Sequence, residues 1–198
     1  GLHNLKHSAT GFNMTTKEDG TVVLSFTVQS QAPNAAKILG GTSSGKNKIE
    51  ELTDKKFGSS DFKFTTNQVW TVYKDGSIEL EASITSNQPS LVLPRLGYMV
   101  RVPQQYANFT YYGRGPIDNY ADRKVGQFIE QHKNTVAGEF VNFPKPQDMG
   151  NHEDVRWCAL TNNAGNGAVF IATDRLSASA LPYSAPVSYT HLTLPTIA

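Results

Sequence analysis

Lys63-Phe64-Thr65-Thr66-Asn67-Gln68-Val69-Trp70-Thr71-Val72-Tyr73, then Lys74-Asp75-Gly76, then Ser77-Ile78-Glu79-Leu80-Glu81-Ala82-Ser83-Ile84: this stretch decides the fold class. The first run is rich in β-branched and aromatic residues, which suit a pleated, half-buried surface. The second alternates strictly, so Ile78, Leu80, Ala82 and Ile84 are expected on one face and Glu79, Glu81 and Ser83 in water. Asp-Gly between two such runs is a strong short-range hairpin signal.

Working outward, the same signals recur. Residues 21–28 follow the turn Glu18-Asp19-Gly20 and read as a strand. So do residues 96–102, bounded by Pro94 and Pro103, and residues 107–112, 125–131, 155–161 and 167–172. The last two flank the turn Asn162-Asn163-Ala164-Gly165-Asn166 and predict a second hairpin. Residues 32–37 and 40–48 are loop-like. No segment carries helical periodicity between caps, and no internal repeat is evident. Many strands joined by turns predict an all-β chain, a large antiparallel β-sandwich.

Composition narrows the function classes. The 198 residues suit one large β domain, and a 38 % hydrophobic content allows a sizeable core. A net charge of +1, with Lys and Arg scattered, excludes the basic field that nucleic acid requires. No apolar run approaches a membrane span, so neither a nucleic-acid nor a membrane partner is expected. The one cysteine, Cys158, lies in the apolar run Trp157-Cys158-Ala159-Leu160 and reads as buried and inert. No compartment is assigned.

One segment fits neither core nor plain surface: Tyr111-Tyr112-Gly113-Arg114-Gly115-Pro116-Ile117-Asp118-Asn119-Tyr120-Ala121-Asp122-Arg123. It resembles the pattern GRGP-x-x-NY-x-DR of the C-terminal sandwich domain of large β-galactosidases, the small chain or domain 5. Leu93-Pro94-Arg95-Leu96-Gly97 is similar to the family's LPR-[IL]-G, and Val102-Pro103-Gln104-Gln105-Tyr106 to its P-x-x-Y. Phe143-Pro144-Lys145-Pro146-Gln147-Asp148-Met149-Gly150-Asn151 resembles Y-x-x-PQE-x-GN, and Asp154-Val155-Arg156-Trp157 resembles DVRW. These matches run in order from Leu93 to about Leu181; the first ninety residues match mainly in pattern.

The resemblance implies a galactose-mutarotase-like supersandwich, cut at both ends, belonging to a glycoside hydrolase family 2 β-galactosidase. It places both catalytic glutamates, with any Mg2+ and Na+, on a (β/α)8 barrel outside this chain. No catalytic residue, metal ligand or cofactor is therefore expected here. The expected partners are the barrel and other domains of the parent, its β-galactoside substrate, and further copies in a homo-oligomer.

The segment admits two readings. As structure, Gly113, Gly115 and Pro116 would turn the backbone sharply. Asp122 would pair with an arginine, and Asn119 would bond nearby backbone. Arg123, Arg156 and Trp157 complete this structural set. As a sugar site, Arg114 and Asn119 would bond hydroxyls while Tyr112 or Tyr120 stacks on a pyranose. The structural reading is preferred, because the loop belongs to an accessory domain in the resembled family. Asp118 with Asp122 and Glu153 with Asp154 are adjacent carboxylates without the barrel that would space them for glycosidase chemistry. His132 and His152 lack companions at ligand spacing, and His152 reads as a solvated loop residue. Trp70 and Trp157 read as core anchors.

The C-terminal Val187-Ser188-Tyr189-Thr190-His191-Leu192-Thr193-Leu194-Pro195-Thr196 resembles the translation of a transposon-end sequencing adapter. Residues 1–186 are thus expected to be the sandwich domain, incomplete at both ends, and 187–198 to be non-native. Two alternatives to an inactive architectural fragment remain. One is a stand-alone galactoside-binding module. The other is a mutarotase-like enzyme, which needs a positioned His and Glu as acid and base.

Overall fold

The computed structural model describes residues 6–31, 63–87, 96–141, 143 and 147–183. Residues 1–5, the stretches 32–37 and 40–48 expected as loops, the Leu93-Pro94-Arg95 motif, Pro144 to Pro146 and the tail 187–198 lie outside them. Every regular element described is a β-strand. The chain divides into two compact units, Gly1–Gly97 and Tyr98–Ala198.

The first unit is a four-stranded antiparallel meander of β1 (Lys6–Thr16), β2 (Val22–Gln31), β3 (Lys63–Val72) and β4 (Ile78–Ser86), in that spatial order. The Asp-Gly hairpin forms as expected: Tyr73 N–H donates to the Ser77 carbonyl at 2.9 Å, and Asp75 accepts from the Ser77 amide. Register places Met14, Leu24, Trp70 and Leu80 in one row across all four strands. Val72 and Ile78 join that face, while Glu79 and Glu81 oppose Thr71 and Val69 on the other. The predicted division of apolar and polar faces in β4 is therefore present in the register. Ile78 itself stays exposed.

The second unit has strand order β6-β5-β7-β8, again antiparallel throughout. Its strands are β5 (Asn108–Gly115), β6 (Phe128–Thr135), β7 (His152–Thr161) and β8 (Gly167–Ala178). Two antiparallel four-stranded sheets are the element set of a β-sandwich, in keeping with the expected all-β class. Phe109, Tyr111, Val155, Cys158 and Ala180 form the buried cluster of this unit, with Leu160, Phe170 and Leu176 packed beside it. Residues of β5 alternate between this cluster and the opposite face, as a period of two requires.

Four expectations are corrected here. Residues 96–102 form no strand: Leu96, Tyr98, Met99 and Val100 are exposed and have no ladder partner among the described residues. The strand expected over 125–131 begins only at Phe128, because a turn with Gly126 at φ 84° precedes it. Gly113 and Gly115 do not turn the chain. They are the last residues of β5, paired with Glu130 and Phe128. Neither Trp70 nor Trp157 lies among the buried side chains; both are half-buried on a sheet face.

Candidate functional site

The family segment begins inside β5, where two missing side chains make room. A Cβ on Gly113 would lie 2.7 Å from Val155 Cγ2 and 2.9 Å from Val155 Cα. One on Gly115 would meet the Tyr111 hydroxyl and stand 2.9 Å from the His132 ring. Both glycines thus permit close approach within the sheet, the second use of strand glycine. A cis peptide joins Gly115 to Pro116, and the chain then passes through Asn119.

Asn119 is fully buried. Its side-chain amide donates to the carbonyls of Arg114 at 2.8 Å and Ile117 at 2.9 Å. Its Oδ1 accepts from the Glu153 amide at 2.8 Å. The main chain of Asn119 is clamped as well: its N–H donates to the Asn151 carbonyl, and its carbonyl accepts from Asn151 Nδ2. A buried polar side chain needs such partners. Asn119 bonds nearby backbone as the structural reading anticipates, and additionally ties the segment to the start of β7.

Arg114 points to the opposite face of β5 from Tyr111. Its Nε donates to Asp154 Oδ2 at 2.8 Å, and another guanidinium nitrogen donates to the Gln127 carbonyl. Lys124 and Arg175 stand 3.8 and 3.7 Å from the same carboxylate. The Arg114 bond holds the Asp154 carboxyl below its ordinary value; burial opposes this, and the charges of Lys124 and Arg175 add to the lowering. Asp154 also has φ 55°, a left-handed conformation that Asp adopts more readily than most residues.

Tyr120 and Arg123 close a tight turn by exchanging main-chain bonds of 3.2 and 2.8 Å, with the guanidinium 5.2 Å from the Tyr120 ring centre. Arg123 pairs with Asp118 at 3.3 Å. The aspartate that meets an arginine within the segment is therefore Asp118; Asp122, expected in that role, is exposed. Pro116 is exposed beside it. Arg156 donates to the Asp154 carbonyl and lies 5.9 Å from the Tyr112 ring centre. Trp157 is the cross-strand neighbour of Tyr112.

His152 is not a solvated loop residue. It begins β7 and has no solvent exposure, because Glu139 from the turn after β6 and Tyr111 from β5 close over it. Its ring stacks on Tyr111 at 4.1 Å between centres. Nothing in the run Gly150-Asn151-His152-Glu153 announced this, since its cover comes from distant positions. Glu139 was missed for the same reason. Burial, reinforced by the charge of Glu139, pushes the Tyr111 phenol well above its ordinary value.

The buried or half-buried carboxylates of this region are all engaged: Glu139 with His152 and Asn134, Glu153 with Asn151 and Ser177, Asp154 with Arg114. No group of three or more His, Cys, Asp or Glu side chains among the described residues converges as a metal site would.

Comparison with known proteins agrees on one family. Residues 7–190 match the family model described as the beta-galactosidase small chain. A β-galactosidase of Priestia megaterium is 35 % identical over 115 residues, 58 % of this chain and 11 % of that protein. One from Lactobacillus delbrueckii subsp. bulgaricus is 34 % identical over 111 residues, covering 56 % and 11 %. One from Kluyveromyces lactis is 31 % identical over 110 residues, covering 54 % and 10 %. The matched stretch thus spans about a tenth of the length of these relatives.

Proposed function

The chain belongs to the β-galactosidase small-chain family, and from that premise we propose that it is an architectural domain of a glycoside hydrolase family 2 β-galactosidase. The parent would hydrolyse terminal non-reducing β-D-galactosides with retention, through a covalent glycosyl-enzyme intermediate. Its two catalytic carboxylates would stand on a (β/α)8 barrel outside this chain, together with any Mg2+ or Na+. This domain would pack on the barrel, help wall the cleft and contribute to subunit contacts.

The observation that carries this reading is the saturation of Asn119. The residue at the centre of the family segment is buried and spends its side chain on Arg114, Ile117 and Glu153. This saturation supports a framing role for Asn119 over a sugar contact. The carboxylates support the same reading: Glu139, Glu153 and Asp154 are each engaged by neighbouring side chains within the domain.

A galactoside-binding module is the second reading, favoured by one observation: Tyr112 keeps 38 % exposure beside its cross-strand neighbour Trp157. In it, Tyr112 or Tyr120 would stack on the sugar and Arg114 would bond a hydroxyl. A mutarotase-like activity gains nothing from the His152–Glu139 pair. The residue types suit acid–base work, but neither side chain is open to a sugar. Calorimetric titration of the chain with galactose and lactose separates the first two readings. An architectural domain gives no saturable heat. Saturable heat that disappears in Tyr112→Ala or Tyr120→Ala would establish the module instead.

A further inference from the structure

We propose that His152 is held as an imidazolium and, with Glu139, forms a charged clasp inside the second unit. The clasp ties the turn 136–139 to the start of β7 and to the end of β5.

Hydrogen-bond accounting leads to this in four steps. The Thr135 amide donates to Asn134 Oδ1 at 2.8 Å, which fixes the orientation of the Asn134 side chain. Asn134 Nδ2 therefore faces Glu139 Oε1, at 2.6 Å, as a donor. Glu139 Oε2 faces His152 Nε2 at 2.8 Å. His152 Nδ1 faces the Arg114 carbonyl at 3.3 Å, and a carbonyl can only accept. Nδ1 must then carry a proton. One proton occupies the contact between Oε2 and Nε2; on Nε2 it makes the ring a cation against the electron-rich Tyr111 face and leaves Glu139 a carboxylate that also accepts from Asn134. Both ring nitrogens carry hydrogen, and the pair is ionic.

The surroundings fit a single fixed charge pair. The Tyr111 ring stacks against the imidazole at 4.1 Å, offering an electron-rich face to a cation. His132 of β6 lies beyond Tyr111, its ring centre 5.0 Å from the phenol ring. The Arg114 side chain leaves on the other face of β5 toward Asp154, so its charge does not compete. The carbonyl of Arg114 receives both His152 Nδ1 and Asn119 Nδ2, which joins the clasp to the family segment. A buried ion pair contributes little net stability against an apolar replacement. Its effect is on shape: one chain of donors and acceptors links Thr135, Asn134, Glu139, His152 and the Arg114 carbonyl.

The test is nitrogen-15 NMR of the histidine rings in the whole chain at neutral pH, with His152 assigned through its backbone. Wild type is expected to show both His152 ring nitrogens protonated. In Glu139→Gln the amide can donate to Nε2, so the Nε2 proton signal is expected to vanish while Nδ1 stays protonated. A wild-type spectrum with one unprotonated His152 nitrogen overturns the proposal, and it does so even if the variant fails to fold. Infrared spectra add a second measurement on wild type: a protonated-carboxyl band assignable to Glu139 overturns it equally.

Discussion

The Asn119 amide donates to the Asn151 carbonyl at 2.7 Å, and Asn151 Nδ2 returns a bond of 2.7 Å to the Asn119 carbonyl. This reciprocal clamp joins the family segment to the start of β7, residues far apart in sequence. Replacing Asn119 by Ala strips partners from the Ile117 carbonyl and the Glu153 amide at once. An unsatisfied buried group costs about 1–3 kcal/mol. Asn119→Ala is therefore expected to lower stability by about 3 kcal/mol in urea unfolding. Asn119→Asp should be worse, since a carboxylate oxygen would face the Arg114 and Ile117 carbonyls.

Gly113 is a packing position. Any side chain there drives into Val155, including its backbone. Gly113→Ala is expected to lose about 1–3 kcal/mol by overpacking. Gly76, where the nearest atoms leave open space but φ is 86°, offers the contrast. There Asn, which tolerates a left-handed backbone, should cost less than Ala. Thermal unfolding of the three variants checks both expectations.

Asp154 links charge to acid stability. Its folded-state pKa is lowered, first by the Arg114 bond. Its contribution is thus present above the unfolded-state value, about 4, and is lost as pH falls through the lower folded value. Wild type should lose more stability than Asp154→Asn between about pH 5 and pH 2. At neutral pH, Asp154→Ala should be less stable than Asp154→Asn, because Asn tolerates the φ of 55°. Equilibrium unfolding across pH measures both.

Cys158 is buried, and burial pushes its thiol up to about 11. The thiolate is the reactive form. Alkylation of the native chain at pH 8 is therefore expected to be slow, and to become fast once denaturant exposes the residue. Equal rates under the two conditions would contradict the burial of the β7 face.

Much of the fold was legible because local rules suffice for hairpins. Asp75-Gly76 and Asn162 to Asn166 announce their turns, and the alternation from Ile78 to Ile84 sets a register that the sheet keeps. The ends of strands were less legible. Gly113 and Gly115 resemble turn residues in sequence, and only Val155 and Tyr111, brought beside them by the fold, explain why they are strand. The extended run at 96–102 carries strand composition but finds no ladder among the described residues. At the candidate site, Asn119 bonding to nearby backbone was legible from its own chemistry. The exchange of Asp122 for Asp118, the burial of His152 and the part of Glu139 were not. Each depends on a partner that a linear reading does not place.

In the proposed role this chain frames a β-galactosidase without carrying its chemistry. Hydrolysis of a chromogenic β-galactoside by the purified chain tests it most directly. The expected result is no turnover above the uncatalysed rate, in wild type and in Glu139→Gln, Glu153→Gln and Asp154→Asn alike. Turnover by the wild-type chain that is lost on replacing one of these carboxylates would contradict it.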